Sequence, residues 1–375
     1  MNQSAFLSIF YNFIAKNFKK LSQTPPKVVF LPDAGAENPF QYEMAKYLRQ
    51  KGMPVNIGKK YRLGSTWQAL KAHHPDVIYY DWVHSFIVGK SLLWSWIKSL
   101  VFILEILLAK SFYRVKIVHT LHNLQNHAGI WPGLEKIIYR FFLQRCDHIR
   151  VYSEITKQKA IVGFGLKGAN ISVIQDLPYH FYYSNGVDQT ESRRVLSIKE
   201  KDFVFLFFGE IKPYKGLDQL LVAFSNLQQS DIQLVIAGRS YDADYWHSLV
   251  EQAKNIQNIQ WHHRFIEDKE VQYFFNAADV VVLPFLRIDH SGSIDLAMSF
   301  RKPIITLRTE NTEQMLSHQS ELLFDNKLYP LIKCLQIARM IDLSAIGKRN
   351  FEIADTTNYR EIVRIFETQQ LHQDV

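Results

Sequence analysis

Apolar positions along this chain fall into short unbroken runs separated by longer amphipathic stretches. The runs at residues 27–31, 77–80, 115–119, 148–152 and 171–174 are short and rich in β-branched and aromatic side chains, as strands are. Between them, apolar residues recur every three or four positions near 41–51, 85–109, 134–144 and 154–162, the period of a helix with one buried face. A second series repeats the pattern, with strands at 204–208, 233–237, 259–262, 280–284 and 303–307 and helices at 217–227, 245–255, 268–276 and 294–300. Apolar strands alternating with helices predict parallel sheets covered on both faces. The expected fold class is α/β: two doubly wound, Rossmann-like domains facing a cleft. The polar segment 185–202, loosened by Gly186 and holding at most a short helix at 191–196, reads as a linker. It separates a first domain, 1–184, from a second, 203–355.

Two loops of the second domain carry candidate chemistry. Phe208 runs into Gly209, and the loop that follows holds Lys212, Pro213, Lys215 and Gly216 before a helix begins. Glycine permits a sharp turn at the strand end, and proline stiffens the bend between two cations. A basic loop at the carboxyl edge of a parallel sheet suits phosphate. Further on, a strand ends at Pro284, and a loop with Arg287, Asp289 and His290 leads to Ser291-Gly292-Ser293 at a helix start. Small residues there leave amides open to an anion, and the hydroxyls add donors. Two such loops at one sheet edge fit a diphosphate. By contrast, Gly163-Phe164-Gly165-Leu166-Lys167-Gly168 has dinucleotide-fingerprint spacing but follows a helix and precedes a strand, so it reads as a helix C-cap and turn.

The first domain offers candidates at its own strand ends. Gly35 and Asn38 lie in a loop that opens a helix, with Asn38 as N-cap and Pro39 at the first helical position. Asp81 follows the 77–80 strand, where it is either a base or a helix cap. His119 ends a strand, and His122, Asn123 and His127 lie just beyond it. His127 and His122, past the strand, are the better candidates for proton transfer.

Composition narrows the partners. A chain of 375 residues, 47% apolar and 21% charged, has an ordinary globular balance. Its formal net charge of +8 suits nucleotide phosphates, lipid headgroups or nucleic acid, but no zinc-finger spacing, arginine-rich arm or RNA-binding aromatic signature supports the last. Cys146 and Cys334 read as buried thiols in a reducing compartment. His73-His74 and His262-His263 lack partners at metal-ligand spacing, so no metal is expected. The most apolar stretch, 85–109, is interrupted by Lys90, Lys98 and Glu105 and is not expected to cross a membrane. Residues 1–15 lack the pattern of a secretory signal. Within 1–24, however, Phe6, Phe10 and Phe13 recur at helical spacing ahead of Lys16, Lys19 and Lys20, as in an interfacial helix. Residues 92–101, with Trp94 and Trp96, share that character.

The segments FFGEIKPYKG and DVVVLPFLRIDHSGSIDLAMSFRKPII resemble the nucleotide-binding domain of family 4-like glycosyltransferases of the GT-B fold. In that family a basic pair after the first strand of the C-terminal domain grips the donor diphosphate. Lys215 matches the lysine of the pair. Glu210 stands where the family has arginine, so Lys212 supplies the second charge. The family's Glu-x7-Glu motif is absent: Ile288 and Leu296 occupy the two glutamate positions, with Asp289 and Asp295 one residue away. The chain thus resembles a divergent branch with Ser-Gly-Ser in place of the acidic pair.

The N-terminal resemblance rests on the Gly35 loop and on His119-Thr120-Leu121-His122-Asn123-Leu124-Gln125-Asn126-His127. In a β-mannosyltransferase-like branch, His-Asn is followed by His-Glu, whereas Ala128 follows His127 here. The resemblance implies a donor site of Gly209, Lys212, Lys215, Arg287, Asp289, His290, Ser291, Gly292 and Ser293. It implies an acceptor site with Gly35, Asn38, His119 and Asn123, catalysis by His127, His122, Asp81 and Lys215, and a helix in 356–375 returning to the first domain. The implied activity is hexose transfer from a nucleotide-diphosphate sugar, GDP-mannose first, without a resident metal or cofactor. The acceptor would be lipid-linked or polysaccharide, on the cytoplasmic membrane surface, as in exopolysaccharide or lipopolysaccharide assembly. A UDP-hexose donor, a non-catalytic nucleotide-sugar or glycan binder of the same fold, and a nucleotide-sugar epimerase are the alternatives.

Overall fold

The computed structural model describes residues 25–35, 39–124, 130–325, 330–356 and 359–367. The first domain's strands are β1 (Val28–Leu31), β2 (Val55–Ile57), β3 (Val77–Tyr80), β4 (Lys116–Thr120), β5 (His148–Val151) and β6 (Ile171–Val173), in the order β2-β1-β3-β4-β5-β6. The second domain's are β7 (Phe203–Phe208), β8 (Ile232–Ala237), β9 (Ile259–His262), β10 (Val280–Leu283), β11 (Ile304–Leu307) and β12 (Leu323–Phe324), in the order β12-β11-β10-β7-β8-β9. Every strand pair is parallel. The fold is two-domain α/β.

Strand alternation divides each domain's core in two. Val28 and Phe30 pack with Met44 and Leu48 on one face of the first sheet, while Val29 and Leu31 pack with Phe86 and Phe102 on the other. In β7, Val204 and Leu206 face one core and Phe205 and Phe207 the opposite one. Each such side chain contributes roughly 1.5–3 kcal/mol on burial. The strand order reverses between β1 and β3 in the first sheet and between β7 and β10 in the second. Ligands of open parallel sheets bind outside the carboxyl ends at such reversals. The loops after β7 and β10 therefore flank a ready-made crevice.

Segment 185–202 is not a free linker. The Gln189–Val195 helix packs on the Val271–Ala277 helix, and Leu196 and Ile198 enter the second domain's core. Arg193 clamps the segment, with Nη2 2.8 Å from Asp279 and Nε donating to the Ala277 carbonyl. Its polar sequence concealed two buried apolar residues and a buried cation. Near the C-terminus, the Tyr359–Arg364 helix sends Ile362, Ile365 and Phe366 into the first domain, and Phe366 stacks on Phe30. Gly165, with φ +64°, caps the Glu154–Phe164 helix.

The 85–109 stretch departs from expectation. It forms a 20-residue helix, Leu92–Ser111, long and apolar enough by length and composition to cross a membrane. Its charges do not interrupt the apolar surface because Lys98 and Glu105 turn inward. The possible interfacial helix in 1–24 lies outside the described residues.

Candidate active site

At the β7 edge, Gly209 takes φ +118°, and Gly238 after β8 sits so close that a Cβ on it would come 1.9 Å from the Gly209 carbonyl oxygen. The clash bars a side chain at Gly238, and the positive φ disfavours one at Gly209. Above the β7 end lies Lys215. The place a Cβ would take on Gly209 is 3.0 Å from Lys215 Nζ and 3.6 Å from Ser293 Oγ. The β7 loop and the Gly292–Ser299 helix thus meet over one point.

Lys215 is 8% exposed and has no ion pair among the described residues. Burial drives its pKa down to about 8, with Lys212 adding to the depression and Glu210 opposing it. Lys212 is half exposed and pairs with Glu210 at 2.9 Å. Thus Glu210, in the place of the family's arginine, holds the second cation. Arg239, after β8, joins this edge through its backbone, its carbonyl accepting from the Ile211 amide, while its guanidinium lies over the Tyr241 and Phe265 rings. Sequence reasoning passed over it because a lone arginine after a strand carries no spacing signal.

The Ser-Gly-Ser segment divides its work. Ser291 caps its own helix by accepting from the Ser293 amide. Gly292 faces the Tyr179 hydroxyl, which lies 2.7 Å from where its Cβ would be. Of the three, the Ser293 hydroxyl shares the space over Gly209 with Lys215. Arg287 is exposed on the same loop, and the Asp289 carbonyl accepts from Asn311 at 3.0 Å.

In the first domain, Asp81 and His122 form a pair with Oδ1 and Nε2 2.6 Å apart. Asp81 is 1% exposed and also accepts from the Tyr79 hydroxyl at 3.0 Å. It lies beneath His122, too deep to meet an acceptor itself, and its carboxylate is placed to orient the imidazole. The His122 ring stacks on Trp82, and its Nδ1 is 3.1 Å from the Tyr152 hydroxyl. Gly35 takes φ +85° and donates its amide to Asp33, and Lys60 Nζ comes within 3.8 Å of its Cβ position. The side-chain oxygen of Asn123 is buried with no hydrogen-bond partner among the described residues. Asn38 and His127 lie outside the described residues.

His119 is a core residue, which corrects its placement at the acceptor. Its Nδ1 bonds the Tyr80 carbonyl and its Nε2 the Tyr139 hydroxyl, each at 2.8 Å, and burial lowers its pKa to about 3. The sheet is covered on both faces, so strand position alone could not tell which way this ring points.

Between the domains lies a 480 Å³ cavity lined by Tyr152, Gln175, Asp176, His290, Asp295 and Asn311, among others. His290 stacks on Tyr152 at 3.5 Å and sits 3.2 Å from Asp295 and 3.6 Å from Asp176. Burial alone would lower the His290 pKa, but Asp295 and Asp176 carry it to about 9. Asp176 in turn binds Arg150 at 2.5 Å, and against the opposing effect of burial this cation and His290 take it to about 2. The ligand atoms of Asp176, His290 and Asp295 lie within 4.8 Å of one another, yet Arg150 already holds Asp176, and the two carboxylates beside His290 favour its protonated form. This group is an ion network joining the domains. Tyr152, Arg150 and Asp176 gave no sequence signal, because their partners are distant in the chain.

Residues 29–176 match Glycosyltransferase Family 4, and residues 188–329 match Glycosyl transferases group 1. The chain is a family 4-like glycosyltransferase of the GT-B fold. Its structure resembles Anabaena HepE in complex with UDP-glucose (TM-score 0.68, 15% identity, 91% of this chain and 98% of that one). It also resembles sucrose-phosphate synthase from Thermosynechococcus elongatus (TM-score 0.69, 15% identity, 91% and 97%). A 107-residue segment is 30% identical to GDP-mannose:glycolipid 4-beta-D-mannosyltransferase of Xanthomonas campestris, covering 28% of this chain and 30% of that protein. Both matching family models are of glycosyltransferases, and the enzyme is a transferase.

Proposed function

We propose that this glycosyltransferase moves a hexose, mannose from GDP-mannose first, to a lipid-linked or polysaccharide acceptor at the cytoplasmic membrane surface. Exopolysaccharide or lipopolysaccharide assembly is the setting. The observation that carries the reading is the meeting of Lys215 and Ser293 over Gly209, with Lys212 in the same loop. Charge develops on the leaving diphosphate as the anomeric carbon–oxygen bond breaks. Prearranged donors at that spot favour the transition state without reorganising, and the protein's own cations serve without a metal. The Asp81–His122 pair supplies the proton acceptor: Asp81 fixes the imidazole, and His122 receives the acceptor hydroxyl's proton once Tyr152 yields its place on Nδ1. Likeness to the Xanthomonas mannosyltransferase favours GDP-mannose, whereas HepE's UDP-glucose favours a UDP-hexose.

Thermal shift with GDP, UDP, ADP and dTDP separates the donors, since a ligand bound only by the folded state raises Tm. GDP is expected to stabilise most. Stabilisation by UDP alone moves the donor to a UDP-hexose, and no response to any of the four refutes the donor site. Release of GDP from GDP-mannose only when a lipid-linked acceptor is added tests transfer itself.

A further inference from the structure

The Leu92–Ser111 helix is built inside out. Ser95, Lys98, Ser99 and Glu105 face the domain, while Leu93, Leu100 and Leu104 stand 73%, 59% and 57% exposed. The inward polar groups are satisfied: Lys98 Nζ donates to the Val88 carbonyl at 2.6 Å, and Glu105 accepts from the Trp67 amide at 2.8 Å. Exposed apolar residues at 93, 96, 97, 100, 104 and 107 make one helical stripe about 20 Å long at 1.5 Å per residue. The neighbouring Pro132–Leu143 helix extends the face with Trp131 and Ile137. A contiguous apolar face of this kind marks an interaction site.

Charge selects its occupant. Between Trp82 and Cys146 the chain has eight lysines and arginines against two glutamates, Glu105 and Glu135, and both glutamates are buried. Lys90, Arg114, Lys136 and Arg140 are exposed on and beside the two helices, and the exposed carboxylate at the end of the long helix, Asp147, is paired with Lys110 at 2.7 Å. Two copies joined through this face would bring like charges together, whereas anionic headgroups complement them. Trp94, Trp96 and Trp131 are residues that favour the headgroup level.

We propose that this face docks on an anionic lipid bilayer, with the Leu92–Ser111 helix lying in the interface and not crossing it. Phe102, Ile106 and Ala109 tie the helix into the first domain's core, and a crossing would tear them out. The proposal deepens the membrane part of the reading above and rests on it for the acceptor. A lipid-borne acceptor would then reach the cleft from the plane in which the first domain sits.

The full chain is pelleted with vesicles of phosphatidylcholine alone or with one-third phosphatidylglycerol, beside a Leu100→Glu/Leu104→Glu variant. Binding to the anionic vesicles is expected, weakening as salt rises, with at least a tenfold loss in the variant at unchanged Tm. Wild-type binding that ignores phosphatidylglycerol overturns the proposal. So does a variant that pellets like wild type, or a wild type that is dimeric and a variant that is monomeric by sedimentation equilibrium. A nucleoside-diphosphate thermal shift on the same samples keeps the two readings apart. Vesicle binding without any shift refutes the donor site and leaves the docking face standing.

Discussion

Two buried lysines divide this molecule. Lys98, in the first domain, is covered by its own helix, hydrogen-bonded to the Val88 carbonyl and set over the Tyr61 ring at 4.5 Å. Lys215, in the second, is as deeply covered but has no ion pair among the described residues. Burial lowers both pKa values, Lys215 to about 8. The fold completes the first lysine, and in doing so turns apolar side chains outward. It leaves the second incomplete, as a site does whose missing partner is a ligand. Depth of burial alone would have ranked them alike; the partners separate them.

The contrast breaks if the two lysines respond alike to substitution. Lys215→Ala is expected to lower kcat/KM by 10²–10³-fold, several kcal/mol of lost transition-state stabilisation, with Tm held or raised because a buried unpaired charge is gone. Lys98→Met should do the opposite: Tm falls, with about 1–3 kcal/mol of stability lost for an unsatisfied carbonyl, while kcat/KM on a water-soluble acceptor holds. Steady-state kinetics beside thermal melts decide it, and equal kinetic losses would show Lys215 to be another structural lysine. The Asp81–His122 pair comes next. His122→Ala should cost roughly 10²-fold in kcat, and Asp81→Asn somewhat less. Unchanged rates in both would mean that transfer proceeds without a base from this pair.

How much of this was legible in the sequence follows the same division. Lys215, Gly209 and Ser293 sit on local motifs, where strand, glycine and helix start fix geometry within a dozen residues, so the donor edge could be read. His119 could not be placed, because a strand buried on both faces hides which face a polar side chain takes. Asp81 lies under His122 only because β3 and β4 pair in register, with Tyr80 beside His119. The ion network of Arg150, Asp176, His290 and Asp295 joins residues of two domains more than 100 positions apart and leaves no spacing to see. The outward face of the 92–111 helix was half legible. Its composition suggested a surface helix, but Lys98 and Glu105 were read as interruptions when they are its inward anchors.

Protonation sharpens the comparison further. At pH 9 most Lys215 in the free enzyme is neutral, since its pKa of about 8 lies below that pH. A bound diphosphate favours the ammonium and draws a proton onto it. Calorimetry in buffers of differing ionisation enthalpy should therefore find up to one proton taken up per nucleoside diphosphate at pH 9. The uptake should vanish in Lys215→Met and persist in Lys98→Met. Affinity should weaken as pH rises above 8, by at most tenfold per unit. Uptake that persists in Lys215→Met would place the titrating group elsewhere.

The smallest effect belongs to the ion network. His290 has a folded pKa near 9, above the ordinary 6.5, so its stabilisation is complete below pH 6.5 and lost as pH rises through 9. Lys215 and Lys302, both held at about 8, act in the opposite sense: each disfavours the folded state while charged, and that penalty fades between pH 8 and 10.5. The raw stability of the protein in this window therefore mixes opposing slopes. The difference between wild type and His290→Gln removes the lysines, which are common to both. That difference should favour wild type by roughly 1–3 kcal/mol at pH 6 and close toward zero by pH 10. Urea denaturation at fixed pH values measures it. A gap that does not change with pH would mean that His290 joins the domains by its stacking on Tyr152, and that its charge contributes nothing.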